Sequence, residues 1–276
     1  MIPCISQATT LSSSFADDVA NYRATSCRNV EVWLTKLEKH LEEVSLSDTR
    51  KAIEDAGIEL GAAAYQGGLL LSQGEQRKAH FDHFRRRLDL CQAFNIRTLI
   101  VAADFAQDID FQAIGRSIVS LAQAGQWAAA FGVRLALEFR GTDSFCTSLD
   151  TAIALVSQCR EANVGICLDA FHYYKGPSKL EDLERLTAAN LFHVQVCDVA
   201  GVPRELMTDS DRIMPGEGDF QLNQLIQKLQ VIGYTGVVSL ELMNPELWRA
   251  NAKQVIELGL TSLERLLTNV RVTPVT

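Results

Sequence analysis

The feature that most constrains this chain is a rhythm. Short apolar runs bounded by Gly, Pro, Asn or Asp alternate with longer segments whose apolar residues recur at helical spacing, and eight such pairs can be counted. The candidate strands are PCISQATT, NVEVWL, ELGAAAY, RTLIVAADF, VRLALEF, VGICLDAF, LFHVQVCD and VVSLEL. Helices are expected over SFADDVANYRAT, SLSDTRKAIEDAG with Gly57 as its stop, Glu75–Phe94, Asp110–Phe131, Ser148–Cys159, SKLEDLERLTA, FQLNQLIQKLQVIG and Pro245 to Leu267. Apolar strands alternating with helices imply a parallel sheet. Eight repeats in this length fit a closed (β/α)8 barrel, one domain over residues 1–276, better than an open doubly wound sheet. No GxGxxG or GxxxxGK[ST] follows a strand, so the usual nucleotide-binding signals are missing.

Four of the runs, ALEF, ICLDAFH, FHVQVCD and VVSLELMN, each carry one polar residue near the strand end: Glu138, Asp169, Gln195 and Glu241. In a parallel barrel all carboxyl ends meet at one mouth. Strand alternation turns Ala136, Cys167, His193 and Ser239 the same way as these residues, with Leu137, Leu168, Val194 and Leu240 facing the helices. Three carboxylates and an amide oxygen in a half-buried space repel one another unless a cation neutralises them. Taken singly, each could be a salt-bridge partner or a hydrogen-bonded core amide; taken jointly they are expected to hold one divalent metal ion. Oxygen donors favour Mn²⁺ or Mg²⁺, with Co²⁺ and Zn²⁺ as alternatives.

Around this centre other residues are candidates for substrate contact. His172, three residues after Asp169, can exchange a proton with a substrate oxygen, and Arg212 can clamp an oxygen or carboxylate in a forked contact. His193 on the Gln195 strand, Trp33 at the end of NVEVW and Phe105 after RTLIVAAD are expected at the mouth, while Tyr173 and Tyr174 fit packing equally well. The interruption from Val199 to Asp219 is long for a compact domain and is read as a functional loop over the mouth.

Lys plus Arg number 26 against 34 Asp plus Glu, a net charge of -8, which removes the phosphate attraction that drives nucleic-acid binding. Seven cysteines, an odd number without CxxC spacing, are expected to be reduced thiols in a cytoplasmic protein. Neither a signal-like N-terminus nor an unbroken apolar stretch of about 18 residues is present, so no membrane partner is expected. VRVTPVT reads as a tail.

The segments ALEFRG with CTSLDTAIALV, VGICLDAFHYY, HVQVCD, TDSDRIMPGEGDFQL and VVSLELMNPELW resemble the sugar phosphate isomerase/epimerase superfamily of xylose-isomerase-like TIM barrels, and within it the inosose (2-keto-myo-inositol) isomerase type. The likeness is dense in the C-terminal half and is one of rhythm in the N-terminal half. It implies a metal on Glu138, Asp169, residue 195 and Glu241, with His172 and Arg212 on the substrate. Many members carry His where this chain has Gln195; those resembling 3-dehydroshikimate dehydratase carry Gln. The expected activity is isomerisation or epimerisation of a ketose, inosose or related polyol through an enediolate, with Glu138 and Glu241 removing and returning the proton. A dehydroshikimate-dehydratase-like lyase is the alternative. Further off stand a non-catalytic sugar-binding relative and an apurinic-site endonuclease, the latter disfavoured by only five histidines. A homodimer through surface helices is expected.

Overall fold

The computed structural model describes residues 1–104 and 109–269. Phe105 and the VRVTPVT tail therefore lie outside the described residues. The strands are β1 (Ile2–Ser6), β2 (Asn29–Trp33), β3 (Glu59–Gln66), β4 (Thr98–Ala102), β5 (Arg134–Glu138), β6 (Val164–Asp169), β7 (Leu191–Val196) and β8 (Val237–Leu240). They join in sequence order into a closed barrel, and the strand pairings resolved are parallel. The (β/α)8 reading of the sequence is correct.

Two compact units make up the chain: Met1–Gly61 with Val194–Thr276, and Ala62–His193. In the first, β1 pairs with β2 and β8, and β7 with β8. Their apolar faces (Ile5, Val30, Val32, Val238 and Leu240) are buried along with Leu34 and Leu37 of α2 (Leu34–Leu41) and Ile256 and Leu263 of α10 (Ala252–Asn269). α1 (Phe15–Arg23) begins where Ser14 accepts from Asp17 N, and α3 (Leu46–Ala56) where Ser45 accepts from Asp48 N. Gly57, with φ 65°, ends α3 in the left-handed conformation that glycine adopts without steric cost. The same unit contains a buried ion pair: Lys36 Nζ lies 2.6 Å from Asp18 Oδ2, and burial pushes the Asp18 carboxyl up to about 6 despite that partner.

In the second unit β4 and β5 run in register from Thr98–Arg134 to Ala102–Glu138, and β5 continues onto β6 with Glu138 opposite Cys167. α4 (Gly74–Ala93), α5 (Phe111–Ala130) and α6 (Leu149–Cys159) pack outside. Ser148 caps α6 by accepting from Thr151 N.

Several elements differ from the sequence reading. PCISQATT is strand only to Ser6 and then turns. The last residues of VGICLDAF are helical, opening α7 (Ala170–Lys175). SKLEDLERLTA yields only a 3₁₀ helix, Leu180–Arg185, because Lys179 N donates to Asp182 in a tight capped turn. The expected helix from Pro245 to Leu267 is two, α9 (Pro245–Arg249) and α10, because Asn251 Oδ1 accepts from Gln254 N and starts a new helix. α8 is Leu222–Val231.

All seven cysteines are buried. Burial pushes the Cys91 and Cys146 thiols up to about 12 and Cys27 to about 11. Among the described residues no helix is long and apolar enough to cross a membrane.

Candidate functional site

The four expected ligands are all buried: Glu138 is 7% exposed, Asp169 0%, Gln195 1% and Glu241 5%. Glu138 and Asp169 are the last residues of β5 and β6. Gln195 is next to last in β7, and Glu241 directly follows β8, its N–H donating to Val196 O at 3.1 Å.

Within Ala62–His193, Glu138, Asp169 and His172 come together. One ligand atom from each lies within 4.8 Å of the others, and all three residues are buried. His172 Nε2 is 3.7 Å from Asp169 Oδ2 and 3.9 Å from Glu138 Oε1. The cause is local. Asp169 ends β6 and also caps α7, its Oδ1 accepting from Phe171 N at 2.8 Å. That turn brings His172 back over the strand end, in a helix rather than a loop, with Oδ2 on the imidazole side. The C-terminal end of α7 is fixed by a close approach. A Cβ on Gly141 would fall 2.5 Å from Gly176 N and 2.6 Å from His172 O, so the chain after β5 packs directly onto the His172 helix. Two carboxylates and an imidazole in a buried space form a donor set that suits a divalent cation. His172, expected only on the substrate, offers a nitrogen to the same cluster.

In the other unit, Arg212 is fully buried, and its guanidinium holds two carboxylates. Nη1 donates to Glu241 Oε2 at 3.0 Å, while Nε and Nη2 donate to Asp209 Oδ1 at 3.0 and 2.7 Å. Asn244 Nδ2 donates to Arg212 O at 3.0 Å. The loop that delivers Arg212 is organised by buried Asp198. Its Oδ1 accepts from Val199 N and Phe220 N and its Oδ2 from Gly216 N, each at 3.0 Å, and its backbone bridges Ile213 antiparallel. The long interruption is thus an ordered loop tied at its two ends and its middle.

The remaining candidates fall as follows. His193 is fully buried on β7. Trp33 lines a cavity of about 570 Å³ with Phe15, Lys36 and His40; among the described residues, none of Glu138, Asp169, Gln195 or Glu241 lines it. A second cavity of about 570 Å³ opens beyond β3, β4 and β5, lined among others by Tyr65, His80, Asp104, Arg116 and Arg140. Tyr173 donates through its hydroxyl to Lys179 O, a structural contact.

One residue escaped sequence reasoning. Glu31, fully buried in NVEVW, accepts from Gln195 Nε2 at 3.0 Å. Its signal, a lone carboxylate inside an apolar run, is the one that singled out Glu138.

Strand order defines a (β/α)8 protein with acidic residues buried at its strand ends, and the family model for the xylose isomerase-like TIM barrel matches residues 19–266. The chain belongs to that family. It is 27% identical over 262 residues to the inosose isomerase of Halalkalibacterium halodurans, covering 92% of each chain. It is 24% identical over 258 residues to the 3-dehydroshikimate dehydratase of Pseudomonas aeruginosa, covering 92% of this chain and 40% of that one. Among solved structures it superimposes on the IOLI protein with a bound zinc atom at a TM-score of 0.92 and 24% identity, covering 99% of this chain and 100% of that one. With inosose isomerases matched over most of its length, the chain is an enzyme of the isomerase and epimerase group.

Proposed function

We propose that this enzyme isomerises or epimerises an inosose or a related keto-polyol by moving a proton at the carbon beside a carbonyl, with one divalent cation held by Glu138, Asp169, Gln195 and Glu241. The observation that carries the reading is the buried cluster of Glu138, Asp169 and His172, whose ligand atoms lie within 4.8 Å of one another and could together hold a metal ion. When bound, the cation supplies Lewis-acid stabilisation of the negative charge that develops on the substrate oxygen, worth several kcal/mol.

Each side chain then has a distinct task. Glu138 takes the proton from carbon, and Glu241 returns it. Arg212 holds the Glu241 carboxylate in place at 3.0 Å and steadies the far end of the polyol. His172, adjacent to Glu138 and Asp169, exchanges a proton with a substrate hydroxyl or carbonyl oxygen. Carboxylate and amide oxygens support Mn²⁺ or Mg²⁺. The His172 nitrogen and the zinc in the IOLI structure keep Zn²⁺ and Co²⁺ in the test panel.

Similarity to a 3-dehydroshikimate dehydratase favours a second reading, in which the same proton abstraction is followed by loss of a β-hydroxyl with His172 as the acid. One experiment separates the two. The chelator-stripped enzyme is reloaded with each metal in ²H₂O and given inososes, ketoses and 3-dehydroshikimate. Deuterium uptake by NMR without loss of water supports isomerisation, and a new ultraviolet-absorbing product supports the lyase. Full activity of Glu138→Gln or of the metal-free protein refutes both.

A further inference from the structure

Glu31 is buried in β2 between Val30 and Val32, where a carboxylate has no packing role. Its Oε1 accepts from Ser6 Oγ of β1 at 2.8 Å and from Gln195 Nε2 of β7 at 3.0 Å. Ser6 and Gln195 are themselves buried, so both bonds are shielded from water. A carboxamide has two ends of almost the same shape, an oxygen that can bind a cation and an NH₂ that cannot. Left to itself it samples both orientations. An ionised carboxylate can only accept, so it holds the NH₂ end on its own side and sends the amide oxygen the other way.

We propose that Glu31 is a positioning residue of the metal centre, selecting the one amide orientation of Gln195 that presents oxygen to the cation, with Ser6 holding the carboxylate in place. This rests on the reading of Gln195 as a ligand given above. The pair works because Gln195 is a weak, neutral ligand, whose oxygen becomes a better donor when its NH₂ is bonded to an anion. Outer partners of this kind typically change metal affinity 10- to 100-fold when replaced.

The test is Mn²⁺ titration calorimetry of the full-length, metal-free protein, with far-ultraviolet circular dichroism and metal-free melting temperature as fold controls. Glu31→Gln, equal in shape but able to present either end to Gln195, is expected to weaken Mn²⁺ binding about 10- to 100-fold while the metal-free protein keeps its fold. In a Gln195→Ala background the same change is expected to cost less than about threefold, because Glu31 acts only through that amide. Wild-type affinity in Glu31→Gln overturns the proposal, as do losses that multiply in the double variant, which would mark Glu31 as acting on the cation by its charge. Should Glu31→Gln not fold, Ser6→Ala carries the comparison: a loss of threefold or more in the wild-type background and none in Gln195→Ala is expected, and no loss in either overturns it. Glu138→Gln separates the two levels of inference. If it binds Mn²⁺ like wild type, the metal centre itself is refuted; if it loses binding while Glu31→Gln does not, only the role of Glu31 falls.

Discussion

Replacing Asp198 is expected to unfasten the loop that carries Arg212, and the structure sets the size of the effect. Asp198 is 1% exposed and receives three backbone N–H groups, those of Val199, Gly216 and Phe220. A hydrogen bond to a charged acceptor contributes roughly 1.5–3 kcal/mol, and a buried donor left unmade costs roughly 1–3 kcal/mol. Gly216 is exposed, so water replaces that bond at little cost, whereas Val199 is buried and Phe220 half-buried. Asp198→Ala is therefore expected to destabilise by about 3–5 kcal/mol. Asp198→Asn keeps the two bonds at Oδ1 and sets an NH₂ against Gly216 N–H, so about 1–2 kcal/mol is expected. The loop also delivers Arg212 to Glu241, so even the milder variant should lose about tenfold in kcat/KM, some 1.4 kcal/mol. Urea unfolding followed by circular dichroism measures the first effect and the substrate assay the second. An Asp198→Ala protein within about 1 kcal/mol of wild type, or Asp198→Asn with unchanged kcat/KM, would show that this carboxylate does not hold the loop.

Three further outcomes are expected. The Asp18 carboxyl is held near 6, above its ordinary 3.8, so its contribution to stability is complete below pH 3.8 and is lost as pH rises through about 6. The unfolding free energy of wild type relative to Asp18→Asn should then fall by about 3 kcal/mol between about pH 3 and pH 7, and a flat or rising difference refutes the assignment. Gly141→Ala puts a methyl group into the Gly176 and His172 backbone, so the His172 helix must shift; activity should fall at least tenfold with a lower melting temperature, and wild-type kinetics would contradict the close packing. The native protein should leave all seven thiols unreacted with Ellman's reagent over minutes, and denaturant should expose all seven.

The barrel and the acidic strand ends were legible because a single polar residue in an apolar run, Glu138 in ALEF or Glu241 in SLEL, is hard to explain by packing. Glu31 shows the same pattern but was read as plain strand, since its partners, Ser6 and Gln195, lie 25 and 164 residues away. The order of the 199–219 loop was illegible for a similar reason: Asp198 looked like a strand terminus, and its acceptor role becomes visible only when Gly216 and Phe220 return to it. Helical periodicity misled twice, over 178–188 and 245–267, where the side chains of Asp182 and Asn251 take backbone N–H groups and reset the helix.

Asp169 spends one of its two oxygens on its own helix, at Phe171 N. The other, Oδ2, lies on the imidazole side, 3.7 Å from His172 Nε2. On the proposed reading of Asp169 as a ligand, attachment through that one oxygen would suit small ions better than calcium, which gathers six to eight oxygens and often takes both from one carboxylate. A backbone hydrogen bond made to start a short helix would then bias the choice of ion by radius.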